Sequence, residues 1–304
     1  MTRELKPLDR TGKSSASLAA NQGDLAAGLY VLATPIGNAR DISLRALETL
    51  KACDVIAAED TRVTAKLLAI HGISKPLIPY NDHNGADMRP KILARLSQGQ
   101  VVALVSDAGT PLVSDPGYKL VRAVVAAGLG VIALPGPSAV LAALTLSGLP
   151  SDRFLFAGFL PSRAGERKSM LEELKAVRAT LIFFESAQRL SESLAAMAEV
   201  LGERPAVMAR ELTKLHEEVR RGSLKALAAH YESHGAPKGE VTLLVAPPQE
   251  AVVDTAKIDA ALKSALAFMP VKAAADLIAG LIDGSRKQIY SRALELKDGS
   301  SEDA

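Results

Sequence analysis

From Leu29 onward the chain alternates short, continuously apolar runs with stretches in which apolar positions recur every three or four residues. The runs are LYVLAT, DVIAA, PLIPY, VVALVS and VIALP. Between them the spacing predicts helices near Ser43 to Cys53, near Arg62 to His71, between PLIPY and VVALVS, and from Pro116. Strands apolar at every position suit burial on both faces, so the pattern predicts a largely parallel sheet covered by helices. After Ser147-Gly148-Leu149-Pro150 the rhythm becomes FLFAGFLP, a basic helix from about Arg163, TLIFFES, a helix to Leu201, AVMARELT, EEVRRG, a short helix and VTLLVAPP. Strands this close in sequence can pair as a hairpin, which predicts a mixed sheet in a second α/β domain.

These changes of rhythm set the expected boundaries: an N-terminal α/β domain over 28–148, a second over 149–248 and a helical appendage over 255–297. The appendage is Ala-rich, with breaks at Met269-Pro270 and Asp283-Gly284 that divide it into three short helices. Residues 1–27 lack periodicity and read as a disordered tail. The tail's TGKS has Pro7 where a phosphate loop needs its first Gly and no strand before it, so it is set aside. Gly128-Leu129-Gly130-Val131-Ile132-Ala133 scans as GxGxxA but precedes its strand instead of following it, and carries no weight.

Composition narrows the function classes. A single Cys53 in 304 residues excludes a disulfide scaffold and thiolate metal clusters and points to a reducing, cytoplasmic setting. No run approaches eighteen apolar residues and the start lacks a signal-peptide core, so neither secretion nor membrane spanning is expected. The net charge of +2 offers no global field for a polyanion, and 4% aromatic residues make a poor base-stacking platform, so any nucleic-acid contact must come from a local patch. Five histidines (His71, His83, His216, His230 and His234) show no metal-ligand spacing, and no metal is expected.

In an open α/β sheet the ligand lies beyond the carboxyl ends of the strands. Those ends are rich in Gly and Pro here: Pro35-Ile36-Gly37-Asn38, Asp107-Ala108-Gly109-Thr110-Pro111 and Gly136-Pro137-Ser138. Any one such turn is ordinary punctuation. Three on one sheet edge suit close approach of backbone N–H groups to a ligand.

The ordered motifs TPIGN, AAEDTR, DHN, VSDAGTPLVSDPGY, LPGPSA, GLPSDRF, ARELTK and KGE resemble the tetrapyrrole methylase superfamily, and closely its ribosomal branch. The resemblance covers Gly28 to about Pro247, and PVKAAADLIAGL with KQIYSRALEL is similar to that branch's C-terminal helices. It implies S-adenosylmethionine as methyl donor, bound between two α/β domains, and 2′-O-methylation of a cytidine in the decoding region of 16S rRNA by a homodimer. It also implies cofactor-binding roles for Pro35, Asp107, Ala108, Gly109, Thr110, Pro111 and Ser138, and, from the second domain, for Phe184, Glu211, Leu212 and Glu240. A sulfonium donor needs an apolar slot for adenine and oxygen acceptors near its cationic sulfur.

Methylating a ribose hydroxyl needs a proton acceptor. Glu59 and Asp60 follow a strand directly, with Arg62 able to orient them or a phosphate, and His83 in DHN is a second candidate, since histidine titrates near neutrality. An acid pair opening a helix is also an ordinary cap, and a loop His an ordinary solvated residue. Arg163, Arg167 and Lys168 on the basic helix, with Arg210 and Lys214 in ARELTK, are the candidate contacts to 16S rRNA or the small ribosomal subunit; the alternatives are a solvated surface helix, its field diluted by interleaved Glu166, Glu172 and Glu173, and structural ion pairs for Arg210 and Lys214. Two positions depart from the family pattern: Val63 and Gln188 stand where histidines are usual. The rival readings are C-methylation of a tetrapyrrole intermediate on the same fold, and a ribosome-associated binding protein without catalysis.

Overall fold

A computed structural model describes residues 25–248, 255–281 and 286–299. The expected tail falls outside them except for residues 25–27, as does the Asp283-Gly284 break. In the first half, β1 (Gly28–Leu32), α1 (Leu44–Ala52), β2 (Val55–Ala58), α2 (Thr61–Ile70), β3 (Leu77–Pro79), α3 (Gly85–Ser97), β4 (Val101–Val105), α4 (Tyr118–Ala126) and β5 (Val131–Leu134) alternate as the spacing predicts. The five strands form one parallel sheet in the order β3-β2-β4-β1-β5. Each apolar run is divided between two faces by the two-residue period of a strand. Leu29, Val102 and Leu104 pack into one core, and Leu32, Val101, Ala103 and Val105 into the other.

The chain from β1 crosses β4 to reach β2, whereas the chain from β4 crosses β1 to reach β5. The two connections leave neighbouring strands β4 and β1 for opposite faces of the sheet, α1 packing with Leu32 and α4 with Leu104, so this is a topological switch point, where a crevice opens at the strand ends. Next comes α5 (Ala139–Ser147), which is apolar on nearly every side. Its Val140, Ala143 and Leu144 pack with Ile182, Val207 and Leu244 of the second sheet, so this helix couples the two halves. Gly148, at φ +72°, ends it in the left-handed conformation that glycine adopts without strain.

The second half runs β6 (Phe154–Phe159), α6 (Ala164–Leu174), β7 (Thr180–Ser186), α7 (Leu190–Leu201), β8 (Pro205–Arg210), β9 (Glu218–Ser223), α8 (Leu224–His234) and β10 (Glu240–Val245). Its sheet has the order β6-β7-β10-β8-β9; β6 and β7 are parallel and the other pairs antiparallel, with β8 and β9 as the expected hairpin. Three helices, α9 (Thr255–Leu266), α10 (Val271–Leu281) and α11 (Arg286–Gly299), pack around Leu262, Ala274, Ala275 and Ile289 as a core of their own. Among the described residues no helix is long and apolar enough to cross a membrane.

Candidate active site

The loops at the switch point are tied to one another by backbone bonds. Thr34 and Gly109 exchange N–H···O bonds of 2.8 and 3.0 Å, joining the turn after β1 to the turn after β4. Thr110 Oγ1 donates to the carbonyl of Pro137 at 3.1 Å, bringing in the turn after β5. Gly109 sits at φ +77°, a conformation that residues with side chains rarely adopt. Two residues with side chains, Leu112 at φ +75° and Ser114 at φ +63°, also adopt this sparsely populated conformation. Such strain persists only where surrounding contacts enforce it, and it gathers at ligand sites.

The opposing wall comes from the second sheet. Glu211 and Thr213, at φ +50° and +64°, turn the chain sharply after β8. Thr213 Oγ1 accepts the Asn38 N–H at 3.1 Å, which links this turn to the TPIGN turn of the first sheet. Gly37 is required there, because a Cβ would overlap Lys214 Cγ. Lys214 Nζ bridges Glu211 Oε1 at 2.9 Å and Glu240 Oε2 at 2.6 Å. Glu211 lies over Gly239, where a Cβ would overlap its carboxylate, and it accepts the Glu240 N–H at 3.1 Å.

Between these walls lies a cleft of about 270 Å³. Ile36, Val113, Phe159, Phe184 and Leu212 supply apolar surface, and Phe184 packs edge-on against Phe156 and Phe159 with centroids 4.7 and 5.6 Å apart. Three carboxylates line the side of the first sheet: Glu59, Asp107 and Asp115. Burial raises the pKa of each. Asp115 is pushed up to about 6, by burial first and then by the Glu59 charge, against a hydrogen bond from Ser106 that lowers it. Glu59 Oε2 accepts the Asp107 N–H at 3.3 Å, and Asp107 Oδ1 accepts the Asp60 N–H at 3.0 Å. Among the described residues the Arg62 charge, itself paired with Asp60, bears on Asp107, and none of the three carboxylates has a salt bridge; desolvated carboxylates in that state favour an incoming positive charge. The arrangement suits a sulfonium, with apolar surface opposite for an adenine ring.

Nine of the predicted cofactor or catalytic residues line the cleft: Glu59, Asp107, Ala108, Gly109, Thr110, Ser138, Phe184, Leu212 and Glu240. Pro35 and Pro111 sit in the supporting turns, and Glu211 holds the Lys214 bridge from outside the lining. Asp60 and Arg62 point elsewhere. Asp60 caps α2 by accepting the Arg62 N–H at 2.8 Å, and its carboxylate pairs with the exposed Arg62 guanidinium at 2.6 Å, which holds its pKa down at about 2. A carboxylate this acidic is a poor proton acceptor near neutral pH. His83 is an exposed turn residue outside the lining. Ser114 and Asp115 belong to the cleft without having been singled out as site residues, although VSDPG repeats the Ser-Asp start of VSDAG in the same motif. Phe159 and Glu185 gave no signal beyond their position at strand ends.

The five candidate RNA contacts are all engaged. Arg163 pairs with Glu166, Lys168 with Glu199, Arg210 with Glu218, and Lys214 with Glu211 and Glu240. Arg167 is a correction to the expected RNA contacts: it is only 6% exposed, its guanidinium bonding to the carbonyls of Pro161 and Ser162 and to Glu192. It braces the turn after β6 and offers no surface to a phosphate. The positions of the two departures, Val63 and Gln188, lie outside the cleft lining, so the absent histidines leave its carboxylates untouched.

Residues 28–228 match the family Tetrapyrrole (Corrin/Porphyrin) Methylases, and residues 252–297 match the RsmI C-terminal HTH domain. The chain is 56% identical over 275 residues to the ribosomal RNA small subunit methyltransferase I of Mesorhizobium japonicum, covering 90% of this chain and 94% of that protein. It is likewise 56% identical over 273 residues to the protein of the same name from Erythrobacter litoralis, covering 90% and 96%. Among solved structures, the fold is similar to that of uroporphyrin-III C-methyl transferase from Thermus thermophilus complexed with S-adenyl homocysteine, at TM-score 0.52 and 18% identity, over 72% of this chain and 97% of that one. The strand-end cleft between two sheets, the helical C-terminal match and identity at this level across nearly the whole of both sequences lead to one assignment: the chain belongs to the tetrapyrrole methylase family and, within it, to the ribosomal RNA small subunit methyltransferase I group.

Proposed function

We propose that this protein transfers the methyl group of S-adenosylmethionine to the 2′-hydroxyl of a cytidine in the decoding region of 16S rRNA. It acts in the cytoplasm, as a homodimer, on the rRNA or the small ribosomal subunit. The observation that carries the reading is the group of burial-raised carboxylates Glu59, Asp107 and Asp115, without a salt bridge among the described residues, in a cleft that also presents the apolar side chains of Phe159, Phe184 and Leu212. Names carried by relatives at 56% identity supply the substrate class.

When bound, the donor supplies an electrophilic methyl on a cationic sulfur. Ile36, Phe159, Phe184 and Leu212 offer apolar surface to a ring. Glu59, Asp107 and Asp115 favour the cation; the backbone bonds of Asp107 and Asp60 hold the first two, and the strained loop over 109–115 holds Asp115. Glu59 and Asp115, as carboxylates facing the cleft with raised pKa values, are the groups suited to take the hydroxyl proton near neutral pH. Asp60 and His83 are not needed for that step. The test is incubation of the purified protein with labelled donor and small subunits lacking the modification, followed by nucleoside mass spectrometry. New 2′-O-methylcytidine supports the reading; donor binding with no RNA methylation on subunits or naked rRNA sinks it.

A further inference from the structure

A second cavity of about 90 Å³ adjoins the cleft and shares Asp115 as part of its wall. It lies between the start of α3 and the start of α4, and Asn81 with Asp82, the first residue of DHN, forms its edge. Arg89 and Lys119 line it. Neither side chain has a hydrogen bond or ion pair with another described residue, in contrast to the five engaged basic residues considered above. Gly85 makes room for the Arg89 side chain, since a Cβ there would stand 3.3 Å from Arg89 Nη1 and 3.5 Å from the hydroxyl oxygen of Tyr80. Tyr118 is 62% exposed at the rim.

Two cations and two carboxylates, Asp82 and Asp115, give this cavity no net preference for a bare anion. They match a ligand that carries a phosphate together with hydroxyl or amine donors, and an exposed tyrosine adds a face on which a base can stack. A nucleotide of single-stranded RNA has all three. We propose that this cavity seats the ribose-phosphate of the acceptor nucleotide, with Arg89 and Lys119 on phosphate, Tyr118 against a base and Asp115 at the 2′-hydroxyl. The assignment rests on the RNA-methylation reading above. Because Asp115 faces both cavities, it is the group that can touch the acceptor oxygen beside the donor site. Its carboxylate takes the hydroxyl proton as the oxygen lone pair forms the new O–CH3 bond, and the electron pair of the broken C–S bond returns to sulfur. A sulfonium and a carboxylate become a neutral thioether and a carboxylic acid, so atoms and charge balance.

The experiment measures initial rates on unmodified small subunits across salt, with donor affinity determined separately by calorimetry, for Arg89→Ala, Lys119→Ala, the double variant and Tyr118→Ala. Arg89→Ala and Lys119→Ala each raise KM for subunits by about tenfold and reduce the slope of log(kcat/KM) against log salt by about one, as loss of a phosphate contact does. Tyr118→Ala raises KM by roughly fivefold or more, the scale of one lost stacking contact. Donor affinity stays within about twofold in all of them, since these side chains lie outside the donor cleft. If the wild type methylates subunits and the double variant matches it in KM and salt slope, the subsite assignment falls while the RNA-methylation reading stands. Loss of donor binding in parallel with KM would mark a structural role and also overturn it. If the wild type binds donor but methylates no RNA, the broader reading falls and the subsite with it.

Discussion

The two walls of the cleft treat their carboxylates in opposite ways. On the second-sheet wall each acidic side chain has a cation: Glu211 and Glu240 share Lys214, and Glu185 is paired with Arg189. On the first-sheet wall Glu59, Asp107 and Asp115 line the cavity with no salt bridge among the described residues, and burial pushes all three towards the protonated form. Paired carboxylates fix geometry, here the turn after β8 and its bond to the TPIGN turn. Unpaired, desolvated ones hold an unsatisfied preference for positive charge that a ligand can meet. The difference separates scaffold from chemistry within a single cavity.

The comparison breaks most sharply on the unpaired side. Asp115→Asn should lower kcat by roughly a hundredfold or more, the scale of losing a general base. Glu59→Gln should cost less if its part is to hold the Asp107 backbone and favour the cation. Rapid-quench single-turnover rates at saturating donor check both, and near-full turnover in Asp115→Asn would mean that the unpaired wall is not where the proton goes. On the paired side the largest effect is on stability. The Glu185 side chain is fully buried and accepts from the Ser186 N–H, the Ser193 hydroxyl and Arg189. Glu185→Ala leaves the Ser193 hydroxyl and the Ser186 N–H without their acceptor, while the half-buried Arg189 keeps the carbonyls of Leu160 and Pro161, and should destabilise the fold by about 2 kcal/mol, the scale of leaving buried donors unsatisfied. Glu185→Gln, which keeps the shape and one acceptor, should cost less, as urea unfolding would show.

A smaller effect sharpens the contrast through pH. Burial raises Asp115 to about 6, so between its ordinary value near 4 and about 6 the native state holds a proton that the unfolded chain has released. The free protein therefore has this group's contribution in full below about pH 4 and loses it as pH rises through about 6. Donor binding runs the other way, because a cation stabilises the ionised carboxylate. Affinity for S-adenosylmethionine should increase as pH rises through about 6, with the slope reduced in Asp115→Asn and persisting in part through Glu59 and Asp107. Calorimetric titrations from pH 5 to 8 give the slope; a flat profile in the wild type would detach these carboxylates from the donor.

Much of this was legible in the sequence because it rests on local rules. Continuously apolar runs, helical spacing and strand-end turns rich in Gly and Pro located all five strands of the first sheet and the turns that build the cleft. The β8–β9 hairpin followed from the short interval between AVMAR and EEVRRG. What escaped depends on three-dimensional neighbours. That α5 would pack on the second sheet, that Arg167 would be buried under the turn after β6, and that Asp115 instead of Asp60 would face the cavity are outcomes of packing between elements distant in the chain. Asp60 and Asp115 are both acids at the end of an apolar strand or its loop, and only the partner that each meets in space separates them.

Asp60 supplies the narrowest test of the comparison, because it stands on the first-sheet side yet behaves like the second. Its carboxylate is occupied twice, by the Arg62 backbone N–H that it caps and by the Arg62 guanidinium that holds its pKa at about 2. The guanidinium is 86% exposed, and such pairs are screened by water and salt. Arg62→Ala should therefore leave thermal stability, donor affinity and the single-turnover rate unchanged within error, while the Asp60 carboxyl, followed by NMR titration, moves up towards the ordinary aspartate range. Asp60→Ala should be the worse of the two for stability, since it also removes the helix cap. If Arg62→Ala instead raises KM for small subunits and flattens the salt dependence, the ion pair is a resting state that opens to a phosphate. Pairing in the free protein would then no longer mark a side chain as scaffold.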